Sequence, residues 1–187
     1  MTAIGPDVPT SELVETLRQA QRFGFFGPGS IERAIEHAGA FVDAIGPERH
    51  RIVDLGSGGG LPGLVVAEAY PAASVLLIDR REKRTDFLRR AVSRLGWSNT
   101  TVRTDDVEVL AREVEARRTA AFDVVTARGF GPPEATLSLA CRLLADGGRI
   151  VISEPPADVG DRWEVELLDR LGLRSRRHGA VRVFERR

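Results

Sequence analysis

The chain has one cysteine, three histidines and one lysine in 187 residues. The lone Cys141 excludes an internal disulfide and a cysteine-built metal site. His37, His50 and His178 are scattered and propose no zinc cluster, so no metal is expected. No apolar run reaches the about 18 residues of a spanning helix, so no membrane partner is expected. The opening MTAIGPDVPTSELVE has no basic stretch followed by an apolar core. No secretory leader is expected, and the expected location is cytoplasmic. Net charge is zero, with 27 basic and 27 acidic residues, which argues against wholesale electrostatic capture by nucleic acid. Lys83 being the only lysine, arginine supplies the other 26 basic residues. They gather in two places, from Arg80 to Arg94 and from Arg174 to Arg187. Local basic patches of this kind can hold phosphates on a neutral protein.

The hydrophobic content of 42% suits one globular domain that buries its own core. Residues 1–50 read as a helical extension and residues 51–187 as the main domain. SELVETLRQAQRF and SIERAIEHAGAFVDAI carry apolar residues at helical spacing, the first with Ser11 as a partial capping signal. The aromatic loop FGFFGPGS lies between them, with Phe23, Phe25 and Phe26 able to stack a base, roof a pocket or simply pack. From residue 51 the apolar runs RIVDL, SVLLID, NTTVRT, FDVVTA and GRIVISE alternate with amphipathic stretches. Runs this continuous predict strands of a parallel sheet covered by helices on both faces. DRWEVELLDRLG predicts a further helix, and LRSRRH and AVRVFER, joined through Gly179, predict a terminal antiparallel hairpin.

DLGSGGGLPG, residues 54–63, allows two spacings. Gly58, Gly60 and Gly63 fit the G-x-G-x-x-G of dinucleotide folds, while Gly56, Gly58 and Gly60 fit the G-x-G-x-G loop of methyltransferases. Three features favour the second. No substrate domain is expected after the hairpin, the hairpin itself suits the methyltransferase sheet, and Asp54 precedes the glycines. A triphosphate loop is excluded because no Gly-Lys-Ser/Thr follows. Pro62 is expected in the first turn of the next helix, where its missing N–H costs nothing. Asp79 ends the second run, 23 residues after Gly56, where a carboxylate can accept both ribose hydroxyls. Asp105, Asp106 and Glu108 follow the third run, at the expected adenine edge, although Asp106 can equally cap the next helix. The expected fold is the α/β class I S-adenosylmethionine methyltransferase (Rossmann-like) fold, with a seven-stranded mostly parallel sheet.

VDLGSGGGLPG, LLIDRREKRTDFLRR and FDVVTARGF together resemble the bacterial 16S rRNA guanine-N7 methyltransferases, the glucose-inhibited division protein B family, over roughly residues 30–155. The resemblance implies S-adenosyl-L-methionine as cofactor, held by Gly56 and Leu61 in the loop, Val107 and Glu108 beside the adenine, and Arg128. It implies 16S rRNA or the small ribosomal subunit as partner, with a small-molecule acceptor as the alternative. The chain departs from the family pattern in lacking its Asn-Leu-Thr and His-x-x-Asp-Ser motifs. Gly129 replaces an alanine, and SEPP puts Glu154 and Pro155 where the family has Lys-Gly, an exchange expected to repel a phosphate backbone. Guanine N7 offers a free lone pair, so no catalytic side chain is required. Cys141 lies on an expected helix face rather than at a site for cytosine C5 chemistry, and TARGF lacks the motif for adenine amines. An rRNA acceptor predicts that both arginine groups share a face with the cofactor mouth.

Overall fold

Strand and helix alternate because each apolar run is too short for a helix and each intervening stretch repeats its apolar residues every three to four positions. The computed structural model describes residues 9–47, 51–155 and 160–187. The absence of a leader, His50 and Pro156 of the SEPP segment concern residues wholly or partly outside that set. Two helices come first, α1 (Ser11–Arg22) and α2 (Ile31–Ile45). Next come β1 (Arg51–Leu55), α3 (Gly63–Ala69), β2 (Ser74–Asp79), α4 (Glu82–Leu95), β3 (Thr100–Thr104), α5 (Val107–Glu115) and β4 (Phe122–Ala127). The chain continues through α6 (Pro133–Leu143), β5 (Leu144–Ser153), α7 (Val165–Arg170), β6 (Leu173–His178) and β7 (Val181–Arg186).

The seven strands form one sheet in the order β3-β2-β1-β4-β5-β7-β6. β1 to β5 run parallel, and β7 lies antiparallel between β5 and β6. The order reverses between β1 and β4, which opens a crevice at the carboxyl ends of those strands. Alternate residues of each strand enter opposite cores. Ile52, Val75, Leu77, Val124 and Val151 meet Leu64, Leu88 and Phe41 on one face. Val53, Ile78, Val125, Ile150 and Phe184 meet Leu110, Leu137 and Leu167 on the other. This is the sheet-with-two-helical-layers arrangement that the continuous apolar runs predict.

α1 is seated on the sheet domain by specific bonds. The Thr10 hydroxyl donates to Glu68 Oε1 at 2.5 Å, and Arg94 on α4 donates to Thr16 Oγ1 at 2.8 Å and Gln19 Oε1 at 3.1 Å. The expected capping role of Ser11 falls instead to Thr10, whose side chain accepts from the Leu13 N–H. The bond to Glu68 holds Thr10 in the extended conformation an N-cap requires. The expected helix from Asp161 is also shorter, beginning at Val165. Trp163 is drawn into the core instead, its ring edge-on to Phe184 at 4.6 Å and its backbone N–H bonded to Asp161 Oδ1.

Two charge expectations are corrected. The arginines between Arg174 and Arg187 lie on β6 and β7, the edge of the sheet opposite β3, and most are engaged locally. Arg174 pairs with Glu185, Arg182 with Asp161, Arg187 with Asp169, and Arg186 donates to the Cys141 carbonyl. Their strands lie at the far end of the strand order from β2 and β3, on which α4 packs. Glu154 does not confront the site as a bare anion either. Its side chain is 0% exposed and accepts from Trp163 Nε1 at 2.5 Å, ringed by Arg162 at 3.5 Å, Arg177 at 3.7 Å and Arg182 at 3.8 Å. Three guanidiniums around one buried carboxylate cancel the repulsion expected of it. Removing that charge leaves the cations unbalanced, so Glu154→Gln is expected to cost about 3 kcal/mol in urea denaturation. A loss below about 1 kcal/mol would show that solvent, not Glu154, neutralises the three arginines.

Candidate functional site

Asp79, the last residue of β2, organises the crevice. Its Oδ2 accepts the Gly58 N–H at 3.0 Å and its Oδ1 accepts the Arg81 N–H at 2.9 Å. One carboxylate therefore ties the loop after β1 to the segment that starts α4. The Ser57 N–H adds a bond to the Ile78 carbonyl at 3.0 Å. Two glycines show why the loop is bare. Gly56 has φ +64°, and a Cβ there would stand 2.7 Å from the Phe130 ring. A Cβ on Gly63 would lie 2.5 Å from Leu77 Cδ2 and 2.6 Å from Asp54 Oδ2. Gly63 is therefore a packing residue of α3, and Pro62 is that helix's N-cap rather than a member of its first turn.

A cavity of about 240 Å³ opens beside this loop, across the ends of β1, β2, β3 and β4. Gly56, Asp79, Asp106 and Val107, four of the residues expected from sequence, line it. Asp106 caps α5, its Oδ1 accepting the Glu108 N–H at 2.9 Å, which places a carboxylate and a helix N-terminus together at the cavity wall. The other expected residues stand behind or beside the cavity. Gly58, Gly60 and Leu61 are buried inside the turn. Glu108 turns its carboxylate to Arg142, at 2.6 Å, and this pairing lowers its pKa. Arg128 instead lines a neighbouring cavity of about 370 Å³ with His37, Phe26 and Arg33. Burial and the nearby Arg128 charge hold the His37 imidazole below its ordinary pKa.

The cavity also draws on residues that sequence reasoning did not assign to it. Phe130 closes it over Gly56, while Arg80, Arg81 and Arg84 form its rim beside Gly129 and the expected Asp105. The signal for Phe130 was its place three residues after a strand whose end was already expected at the site. Arg84 approaches Asp79 at 3.6 Å. Cys141 is half-buried on α6, and burial pushes its thiol pKa up, which suits packing rather than nucleophilic attack. Among the described residues no group of three metal-ligating side chains occurs, and no helix is long and apolar enough to cross a membrane.

Asp54 is 1% exposed, directly behind the loop, and its Oδ1 accepts from Thr126 Oγ1 at 2.6 Å. Burial lifts its pKa to about 6, with the Thr126 bond opposing the rise.

Residues 31–154 match the family described as rRNA small subunit methyltransferase G. The chain is 36% identical over 154 residues to the Ribosomal RNA small subunit methyltransferase G of Ralstonia nicotianae, covering 78% of this chain and 66% of that protein. To the protein of the same name from Laribacter hongkongensis it is 38% identical over 127 residues, covering 63% and 58%. The chain thus spans about three fifths to two thirds of these relatives' lengths. Among solved structures, a SAM dependent methyltransferase from Aquifex aeolicus superposes with TM-score 0.60 at 16% identity, covering 90% of this chain and 96% of that one. A precorrin-6y C5,15-methyltransferase from Geobacter metallireducens gives 0.58 at 16% identity, covering 80% and 86%. At these identities the likeness shows the fold, the expected class I Rossmann-like architecture.

Because the folded-state pKa of Asp54 is raised, its contribution to stability is full below about pH 4 and is lost as pH rises through about 6. Asp54→Asn removes that dependence. Between pH 4 and 7.5 the stability of the variant relative to wild type is expected to shift in the variant's favour by about 3 kcal/mol. Parallel stability curves for the two proteins across that range would contradict the assignment.

Proposed function

The chain belongs to the rRNA small subunit methyltransferase G family, and from that premise we propose that it methylates guanine N7 in 16S rRNA, using S-adenosyl-L-methionine. The observation that carries this reading is the acid-lined cavity at the switch point of a sheet whose residues 31–154 match the family. The lining fits an adenosyl group with an amino-acid tail. Asp79 keeps lone pairs beyond its two backbone bonds and so can accept vicinal ribose hydroxyls. Val107 supplies an apolar wall for a purine, and the bare backbone at Gly56 leaves room for a close-lying chain.

We assign direct cofactor contact to Gly56, Asp79, Asp106 and Val107. Asp54, Gly58, Gly60 and Leu61 hold the turn, while Glu108 and Arg128 flank the two ends. We take α1 and α2 as a helical extension of a transferase domain that begins at residue 51. When bound, S-adenosyl-L-methionine supplies an electrophilic sulfonium methyl. Guanine N7 has a free lone pair, so exchange of the S–CH3 bond for an N7–CH3 bond, with release of S-adenosyl-L-homocysteine, would need no side chain to remove a proton. The residues here act by alignment and by excluding water, with Phe130 closing over Gly56. We place the protein in the cytoplasm with its acceptor, the small ribosomal subunit. The case for a small-molecule acceptor rested partly on Glu154, and neutralisation by three arginines removes that support.

The test is transfer of labelled methyl to small subunits from a strain lacking the mark, with total RNA and a metabolite extract in parallel. Label in guanine N7 of 16S rRNA is expected. Label in the metabolite extract, or none in the subunits, overturns the proposal. In the same assay Asp79→Asn is expected to raise the cofactor KM about 10- to 100-fold, the loss of a charged hydrogen-bond acceptor. An unchanged KM would remove Asp79 from the cofactor site.

A further inference from the structure

Two of the three phenylalanines between α1 and α2 have structural work. A Cβ on Gly59 would lie 2.6 Å from the Phe26 ring and 3.0 Å from Phe25 Cβ, so both residues press on the glycine loop. The Arg84 guanidinium lies 6.0 Å over the Phe25 ring. Phe23 is different. It is 55% exposed, the one exposed aromatic ring among the described residues, and only part of it rests on Phe25 and Phe87, each 5.9 Å away.

The exposed ring faces a cationic segment. A groove of about 430 Å³ lies between residues 23–25 and residues 81–84, the start of α4. Arg84 is paired with Asp79, but among the described residues Arg80, Arg81 and Lys83 form no ion pair, and Glu82 is the one acid in the groove. Arg81 and Arg84 line both this groove and the 240 Å³ cavity, so the two are adjacent. Arg174, Arg182 and Arg187 of the hairpin are paired with acids, whereas this rim carries unpaired cations next to the cavity among the described residues. An exposed aromatic ring beside unpaired cations is the arrangement that holds single-stranded nucleic acid, the ring stacking a base and the cations meeting phosphates.

We infer that Phe23 stacks an unpaired RNA base flanking the acceptor nucleotide, while Lys83 and Arg81 hold the adjoining phosphates. The inference rests on the RNA-acceptor reading above. It adds that the acceptor strand enters over the start of α4 and not over the hairpin.

The test titrates the full chain with a labelled single-stranded RNA oligonucleotide of mixed sequence at several salt concentrations. Phe23→Ala and Phe23→Leu are expected to bind about tenfold more weakly, while Phe23→Tyr stays within about twofold of wild type. Lys83→Ala is expected to flatten the slope of log K against log salt by about 0.7. Calorimetry with S-adenosyl-L-methionine should leave the Phe23 variants unchanged, because the ring lies outside the cofactor cavity, and thermal melting should show them folded. The inference is overturned if wild type does not bind the oligonucleotide, if Phe23→Ala binds as wild type does, or if Phe23→Leu retains full affinity. Methyl transfer to subunits is measured separately. If the Phe23 dependence holds and no subunit is labelled, the proposed function falls and the stacking surface stands.

Discussion

The Asp79 carboxylate between the Gly58 and Arg81 N–H groups is the interaction on which the site depends. It fixes the end of β2 against the loop from β1 and against the start of α4. Those three segments supply much of the cavity wall, including the basic rim. The geometry demands a backbone without side chains at the turn, because Phe130, Leu77 and Asp54 already occupy the space a Cβ would take. Once the loop is held by the Gly58, Ser57 and Gly60 N–H bonds, Asp79 still has acceptor capacity toward the cavity.

Charge in this neutral protein is arranged by pairing rather than by composition. Arg103 is held by Asp105 and Glu113, Arg142 by Glu108 and Glu115, and the buried Glu154 by three arginines. Apart from Asp105, which also lines the cavity, these engaged groups stand away from it. At the start of α4, Arg80, Arg81 and Lys83 form no ion pair among the described residues, so a chain of zero net charge still presents a local cationic mouth at the cavity and the adjoining groove. Counting arginines along the sequence cannot separate the two kinds, since their partners come from distant segments.

Much of the fold is legible because its strands are buried on both faces. RIVDL, SVLLID and FDVVTA coincide with β1, β2 and β4, and the terminal hairpin follows from two short runs around Gly179. Asp79 was legible at the site for the same reason, since strand ends converge at a switch point. What was not legible depends on contacts far apart in sequence. Thr10 displaces Ser11 as the cap because Glu68 holds it, Trp163 shortens the last helix because Phe184 and Glu154 capture its ring, and the Glu154 charge is balanced because Arg162, Arg177 and Arg182 surround it. Phe130 reaches the cavity through the bend after β4, which no periodicity announces.

The central claim is that this bare loop and its Asp79 anchor form a cofactor site, and calorimetric titration with S-adenosyl-L-methionine tests it most directly. One saturable site per chain is predicted for wild type, with binding weakened about tenfold or more in Gly56→Ala, a 1.4 kcal/mol loss or greater. Absence of saturable binding by the wild-type chain, or equal affinity in Gly56→Ala, would contradict the account.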